Sequence, residues 1–341
     1  MKLKQTNSFD DVLLVPKFSN ITSRKEVDLS SDLTKDIVLR MPVVSSPMDT
    51  VTESEMAEAM SERGALGIIH RYNTIEAQSK QVKQAVRSCK SGYVGAAVGV
   101  SGDYLERAQS LVKAGVNVLC IDIAHGHHSM MRHALHVLRN TFGWDLHIMA
   151  GNVATLPAFN DLADWGASSI RVGIGGGSIC STRIQTGHGM PTLHSVMECS
   201  LSDRDATLIA DGGIRGSGDV VKALAAGADA VMLGSLLAGT NESPGEEVYL
   251  NGERSKTYRG MASKDAQIDW RGHFASVEGV SSTVPLKASV SDVLDEIERG
   301  VRSGLSYSGA KSLAELRSKS EFIIQTSAGA VESSTHINRN K

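Results

Sequence analysis

The sequence predicts an α/β fold, a (β/α)8 TIM barrel, as a single catalytic domain spanning residues 1–341. Three features carry this reading. Eight short apolar runs, rich in β-branched residues, alternate with helical stretches between residues 43 and 240. The runs lack strict polar alternation, as strands buried on both faces of a parallel sheet do. Polar residues and glycines gather at the C-terminal end of nearly every run, the face on which barrels carry their chemistry.

In chain order the runs are VVSSPM (43–48), LGIIH (66–70), AAVGV (96–100), VLCIDI (118–123), HIMAGN (147–152), SSIRVGI (168–174), LIADGG (208–213) and AVMLGS (230–235). Eight strands fit a closed barrel better than an open doubly wound sheet. Their ends supply Asp49, His70, Asp122, Asn152, the loop 173–180, Asp211 and Ser235. Between the runs lie amphipathic stretches. In DYLERAQSLVKAG, Leu105, Ala108, Leu111 and Val112 share one helical stripe and Gly115 stands as terminator. In SGDVVKALAAGAD, Ser217 or Gly218 is placed near the N-cap, Asp219 suits the first turn and Gly227 the end.

Residues 260–285 show no clear periodicity, and the segment about 262–285 is expected to be an irregular flap that packs through Trp270 and Phe274. Residues from about 322 to 341 are expected to form a tail.

Composition bounds the function. Hydrophobic residues make up 41% and charged residues 21%, with a formal charge of −3. Without a basic excess or basic runs, no nucleic-acid partner is expected. No segment approaches the roughly eighteen apolar residues of a membrane span, and Asp10 and Asp11 interrupt any signal-like start. Four cysteines without a CxxC pair suggest reduced thiols and a cytoplasmic setting. Cys89, Cys120 and Cys199 read as core or surface residues. Aromatic content of 4% and 33 glycines suit a barrel with an aliphatic core and tight loops.

The segment RVGIGGGSICSTR (171–183) is the most informative. Glycines after a strand let successive backbone N–H groups turn towards one point and cradle an anion, and Ser178 adds a hydroxyl. Cys180 ends that cradle, where amide dipoles and Arg183 would favour the nucleophilic thiolate. ADGGIR (210–215) and LGS (233–235) end consecutive strands, the recurrent phosphate site of barrels. Asp211 suits ribose hydroxyls, or alternatively caps a turn. His125, His127 and His128 have no carboxylate or cysteine at ligand spacing, so a metal centre is not expected there. Asp122 is the better candidate for a ligand contact.

FDDVLLVP (9–16), SSPMDTVTE (45–53), AGNVAT (150–155), GSICSTR (177–183), ADGGIR (210–215), GSLLAGTNESPGE (234–246), YRGMAS (258–263) and EGV (278–280) together closely resemble the inosine-monophosphate dehydrogenase and guanosine-monophosphate reductase family. The resemblance implies a barrel assembled as a homotetramer acting on a purine nucleotide. It implies Cys180 as the nucleophile at purine C2, with Thr182 and Glu278 as its proton-transfer pair. It implies Ser178, Gly213, Gly234, Ser235 and Tyr258 around the 5′-phosphate, and Asp211 on the ribose. Ser46, Met48, Gly260 and Met261 would line the nucleotide site, with Asp122 and Asn152 near the nicotinamide cofactor. Carbonyls of Gly175, Gly177 and Cys180 would hold a monovalent cation, K+, completed by Glu332 from a neighbouring subunit. Gly176, where many relatives have proline, departs from the pattern and should loosen this loop.

The family runs two reactions. The dehydrogenase oxidises IMP with NAD and uses an Arg-Tyr pair on a long flap to activate water. The reductase deaminates GMP, then reduces the intermediate with NADPH, and uses a Thr-Glu pair. Residues 262–277 contain no Arg-Tyr dipeptide, and Arg271 precedes Gly272. The regulatory module of typical dehydrogenases is also missing, since SCKSGYVGAAV (88–98) runs straight into the third strand. The expectation is a GMP reductase; the alternative is an IMP dehydrogenase lacking that module, which the TSAGAVESSTH tail favours. A non-catalytic nucleotide-binding barrel is the rival of another class, and Cys180, Thr182 and Glu278 together argue against it.

Overall fold

A computed structural model of the chain describes residues 3–89, 92–250 and 252–333. Eight parallel strands close into a barrel: β1 (Val43–Ser45), β2 (Leu66–Ile69), β3 (Tyr93–Val98), β4 (Val118–Asp122), β5 (His147–Val153), β6 (Ser169–Val172), β7 (Thr207–Asp211) and β8 (Ala230–Leu233). Closure is direct, because Val231, Met232 and Leu233 of β8 pair with Val43, Val44 and Ser45 of β1. Every expected run becomes a barrel strand, with shifted ends. β3 starts at Tyr93, ahead of the expected Ala96, where the Tyr93 hydroxyl donates to the Asp36 carbonyl at 3.0 Å.

Helices follow the strands and cover the barrel. Tyr104–Ala114 buries Ala108 and Leu111 and ends at Gly115, whose φ of +96° is the left-handed conformation that glycine adopts freely. The helix Ser217–Ala225 departs from expectation at its start. Gly216 is the cap, and Ser217 is already helical. The Ser217 side chain instead packs against Gly300 of the helix Val290–Tyr307, where any Cβ would collide with it.

Two apolar layers hold the fold together. The larger lies between strands and helices. The smaller fills the barrel interior with Val44, Leu66, Ile68, Val118, Met149 and Ile209, among others. Its floor is a hairpin with no signal in the sequence reading: Ser31–Thr34 pairs antiparallel with Ile37–Leu39. Leu33, Ile37 and Leu39 plug the barrel from below.

After β8 the chain leaves the barrel. Glu247–Leu250, Glu253–Arg259 and Ser281–Pro285 form an antiparallel sheet before Val290–Tyr307 returns to the barrel wall. The flap is not irregular. It holds the helix Lys264–Arg271, with Ser263 accepting from the Ala266 amide at 3.2 Å and Gly272 at φ +74° ending it. Only Ala266 and Gln267 of that helix are buried, so it carries no apolar period to read. The tail is also ordered at its start. Phe322–Ile324 pairs antiparallel with Val12–Leu14, and Ser327–Glu332 is helical. The end of the expected tail, 334–341, lies outside the described residues. Among those described, no helix is long and apolar enough to cross a membrane.

Candidate active site

The glycine loop after β6 presents Cys180, the expected nucleophile. A Cβ on Gly176 would lie 2.5 Å from Thr192 Oγ1, so threonine fills the space that a proline ring would need. The expected loosening is therefore offset by packing. The Cys180 amide donates to the Gly177 carbonyl at 3.1 Å. Two bonds then fasten this segment to the far end of the flap: the Ser181 amide to the Glu278 carbonyl at 2.9 Å, and the Val280 amide to the Ile179 carbonyl at 3.0 Å. That bridge brings Glu278 beside Thr182 and Cys180. Cys180 Sγ donates to Thr182 Oγ1 at 3.2 Å, and Thr182 Oγ1 donates to Glu278 Oε2 at 2.9 Å. The result is a continuous proton path from thiol to carboxylate.

Arg183 does not join it. Its guanidinium donates to the Met190 carbonyl at 2.6 Å, and its stem lies against Gly175 and Gly189. The expected help to the thiolate from this arginine is therefore replaced by a packing role in the loop. The other cysteines are chemically quiet. Burial pushes Cys120 up to about 11 and, with Glu198, Cys199 up to about 12, and it also raises Cys89.

At the opposite wall, β8 ends beside the flap sheet. A Cβ on Gly234 would lie 3.1 Å from the Tyr258 hydroxyl, 3.4 Å from Met48 Sδ and 3.5 Å from Ser46 Oγ. Glycine is thus what lets these side chains converge. The Tyr258 and Ser178 hydroxyls are 3.4 Å apart, tying the glycine loop to the same corner. Gly213, at φ +78°, turns the chain out of β7 next to them.

Between these walls lies a charged bridge that the sequence reading missed. Arg171, 6% exposed in the middle of β6, donates Nη1 to Asp122 Oδ1 at 2.7 Å. Its Nη2 and Nε reach Asp211 Oδ2 at 3.0 and 3.2 Å. Asn152 Nδ2 donates to the same Oδ2 at 2.8 Å. All these contacts fall on Oδ2, which leaves Asp211 Oδ1 for a ligand. The only available signal was a lone arginine inside the apolar run SSIRVGI.

The flap closes the rim. Trp270 stacks on Tyr72 with ring centroids 4.2 Å apart and planes at 12°, and Arg71 lies over both rings. Arg259 links Asp49 Oδ2 at 2.7 Å to Asp269 Oδ2 at 2.5 Å, pinning the flap helix to the loop after β1. Met261 Sδ accepts from the Asp49 amide at 3.3 Å. Phe274, by contrast, stays exposed under Lys264.

A cleft of about 430 Å³ joins these parts at the C-terminal mouth of the barrel. The residues expected around purine, phosphate, ribose, cofactor and nucleophile all line it, including Gly175, Gly177, Ser235 and Gly260. Glu332 does not; it is exposed on the helix Ser327–Glu332. Of the three histidines, His127 meets Asp161 at 2.8 Å and His128 caps the helix Ser129–Phe142.

Known proteins share this architecture. Residues 6–336 match the family described as "IMP dehydrogenase / GMP reductase domain". Inosine-5′-monophosphate dehydrogenase of Nitrosopumilus maritimus (strain SCM1) is 35% identical, with 98% of this chain and 99% of the relative covered. That alignment runs over 472 positions, more than this chain contains, so the relative carries segments absent here. Inosine-5′-monophosphate dehydrogenase of Cryptosporidium parvum is 38% identical over 382 positions, covering 96% of this chain and 94% of its own. A GMP reductase of Trypanosoma brucei, solved in complex with guanosine 5′-monophosphate, superposes with a TM-score of 0.93 at 30% identity, covering 98% of each chain. On these matches, and on the barrel and cleft that accompany them, the chain belongs to the IMP dehydrogenase / GMP reductase family of purine-nucleotide oxidoreductases.

Proposed function

We propose that this protein is a GMP reductase, converting GMP to IMP and ammonia with NADPH as reductant. The observation that carries the reading is the path from Cys180 through Thr182 to Glu278, set beside a flap that offers no water-activating pair. Arg271, the arginine of the flap helix, turns its guanidinium onto Gln267 of that helix, and the following residue is Gly272.

In this reading the 5′-phosphate sits among Ser178, Gly213, Gly234, Ser235 and Tyr258, and Asp211 Oδ1 takes the ribose. Ser46, Met48, Gly260 and Met261 flank the base. The thiol proton moves through Thr182 to Glu278 as sulfur bonds to C2. The same path returns a proton to the exocyclic amine, which leaves as ammonia. The Cys180–C2 bond breaks only as hydride reaches C2, and sulfur regains its electron pair. Bound NADPH supplies the hydride that takes sulfur's place at C2.

The cleft wall suits a nicotinamide cofactor. Arg71 lines it with a buried Nε that has no hydrogen-bond partner among the described residues, beside Asp122, Asn152 and Tyr72. For K+, the carbonyls of Gly175 and Cys180 accept no hydrogen bond among the described residues. We extend the proposal to a cation held there with Gly177 and, in a cytoplasmic homotetramer, with Glu332 of a neighbouring subunit.

A second reading, IMP dehydrogenase with NAD, is favoured by the names of the relatives above. The missing module does not separate the two, since the Cryptosporidium relative, also named a dehydrogenase, aligns over 382 positions against 472 for the Nitrosopumilus one. Two mixtures decide it: GMP with NADPH, and IMP with NAD, followed at the nicotinamide absorbance with Cys180→Ala as the blank. We expect turnover in the first only; turnover in the second alone overturns the assignment.

A further inference from the structure

Two lysines lie behind the expected phosphate corner with no acid to meet them. Lys287 Nζ donates to the carbonyls of Ser235 at 2.7 Å and Leu236 at 2.8 Å. Lys256 Nζ donates to the carbonyls of Thr240 at 2.9 Å, Asn241 at 3.1 Å and Ser243 at 2.6 Å. Lys256 is buried and Lys287 half-buried, and among the described residues neither forms an ion pair. Burial lowers the pKa of both. For Lys287 it is the sole cause, while Glu247, Glu242 and Glu55 oppose it for Lys256. A buried ammonium with only carbonyl partners costs stability unless it serves another purpose.

The segment that these lysines hold runs directly out of β8. Leu237 and Ala238 donate their amides to the Gly234 carbonyl at 3.0 and 2.9 Å. The amides of Ser235 and Leu236 have no backbone acceptor among the described residues. Gly234 and Ser235 line the cleft. In a trans peptide, C=O and N–H point in opposite directions. Pinning the Ser235 carbonyl on Lys287 therefore turns the Leu236 N–H away from the lysine. The Lys287 backbone is fixed to the same segment, donating its amide to the Gly239 carbonyl at 2.7 Å.

We propose that Lys287 is a positioning residue for the nucleotide 5′-phosphate: it orients the Ser235–Leu236 peptide and places an unpaired positive charge behind the anion. Lys256 braces the far end of the same segment. Neither lysine lines the cleft, so both act through the backbone. A preorganised dipole with a cation behind it binds an anion more strongly than a free loop does. The proposal rests on the reading of this cleft as a purine-nucleotide site.

Calorimetric titration of the full chain with GMP and with guanosine tests it. In Lys287→Gln, GMP affinity should fall about tenfold, the scale of one charge-assisted hydrogen bond. Guanosine affinity should stay within about twofold, because nothing at the base or ribose changes. In turnover, KM for GMP should rise more than kcat falls. Lys287→Arg should restore most of the preference for GMP over guanosine. Equal loss of both ligands in Lys287→Gln, or an undiminished preference for GMP, overturns the proposal. Should Lys287→Gln fail to fold, wild-type protein decides through the ³¹P titration of bound GMP. The second phosphate pKa should lie below that of free GMP, and an unshifted value overturns the proposal. A wild type that binds GMP and IMP no better than guanosine sinks the nucleotide reading itself.

Discussion

Thr182 and Glu278 are 96 residues apart in sequence, yet the threonine hydroxyl donates to Glu278 Oε2 at 2.9 Å. The contact exists because the flap returns alongside the nucleophile loop, bonded through Ser181 and Val280. Chemistry at Cys180 is thereby coupled to the position of a segment outside the barrel.

In the proposed GMP reductase reaction, Glu278→Gln removes the proton acceptor and keeps the shape. General acid–base catalysis contributes roughly 10²–10⁴-fold, and we expect ammonia release to slow by at least about a hundredfold. Hydride transfer should slow far less, since the hydride itself moves no proton along the Cys180–Thr182–Glu278 path. Rapid-quench measurement of ammonia beside NADPH absorbance separates the steps; equal slowing of both removes Glu278 from this role.

Trp270→Ala should release the flap helix. The Trp270–Tyr72 stack lies at 4.2 Å and 12°, a geometry worth about 0.5–1.5 kcal/mol beyond the area it buries. The remaining anchors are Arg259 on Asp49 and Asp269. We expect faster amide exchange across Lys264–Arg271, with barrel strands unaffected and the global unfolding midpoint nearly constant. Unchanged protection of that helix would mean that the arginine anchors suffice.

The barrel strands were legible because parallel strands buried on both faces leave dense apolar runs, which even the glycines of β2 and β3 did not obscure. Cys180 was singled out by its glycine-rich loop, and Thr182 and Glu278 by motif resemblance, none of them through periodicity. What escaped was non-local or unpatterned. The floor hairpin Ser31–Thr34/Ile37–Leu39 is too short to show alternation, and the flap helix buries too little to show a stripe. Arg171 escaped because its partners Asp122 and Asp211 lie 49 and 40 residues away. Arg183 was misjudged because nearness in sequence to Cys180 says nothing of side-chain direction; its guanidinium goes to Met190.

Stability should fall with acid through His147. This residue is buried at the start of β5, with Nε2 2.8 Å from Ser169 Oγ and Nδ1 without a hydrogen-bond partner among the described residues. Burial first, and nearby Arg139 second, lower its pKa from 6.5 to about 4. The folded state binds this proton less readily than the unfolded chain, so its contribution is intact above pH 6.5. It is lost as pH falls towards 4, at about 1.4 kcal/mol per pH unit. Urea titrations between pH 7 and 4.5 should show that slope, and His147→Gln should flatten it. An equally steep slope in the variant would assign the loss to the carboxylates instead.

Arg171→Met tests the bridge on which the two halves of the cleft depend. Among the described residues the guanidinium is the only cation in direct contact with Asp211, and it also reaches Asp122 at 2.7 Å, while Arg71 stands 3.8 Å from Asp122. Burial disfavours the charge on Arg171, but Cys120, Asp122 and Asp211 more than offset it, so the side chain stays protonated. Removing it strands two largely buried carboxylates across the barrel mouth, a change that costs about 3–5 kcal/mol where one partner of a buried pair is deleted. Methionine fills most of the volume, so the loss is electrostatic rather than a cavity effect. Arg171→Lys keeps a charge but cannot make the forked contact to both acids, and should fall between the two. Thermal unfolding gives the stability, and titration with a nucleotide gives the second consequence: if Asp211 holds the ribose as proposed, losing Nη2 and Nε from its Oδ2 should weaken nucleotide affinity at least about tenfold. A variant that unfolds like wild type while losing nucleotide affinity would show that Arg171 contacts ligand directly. One that loses stability but keeps affinity would show that Asn152 alone is enough to orient Asp211.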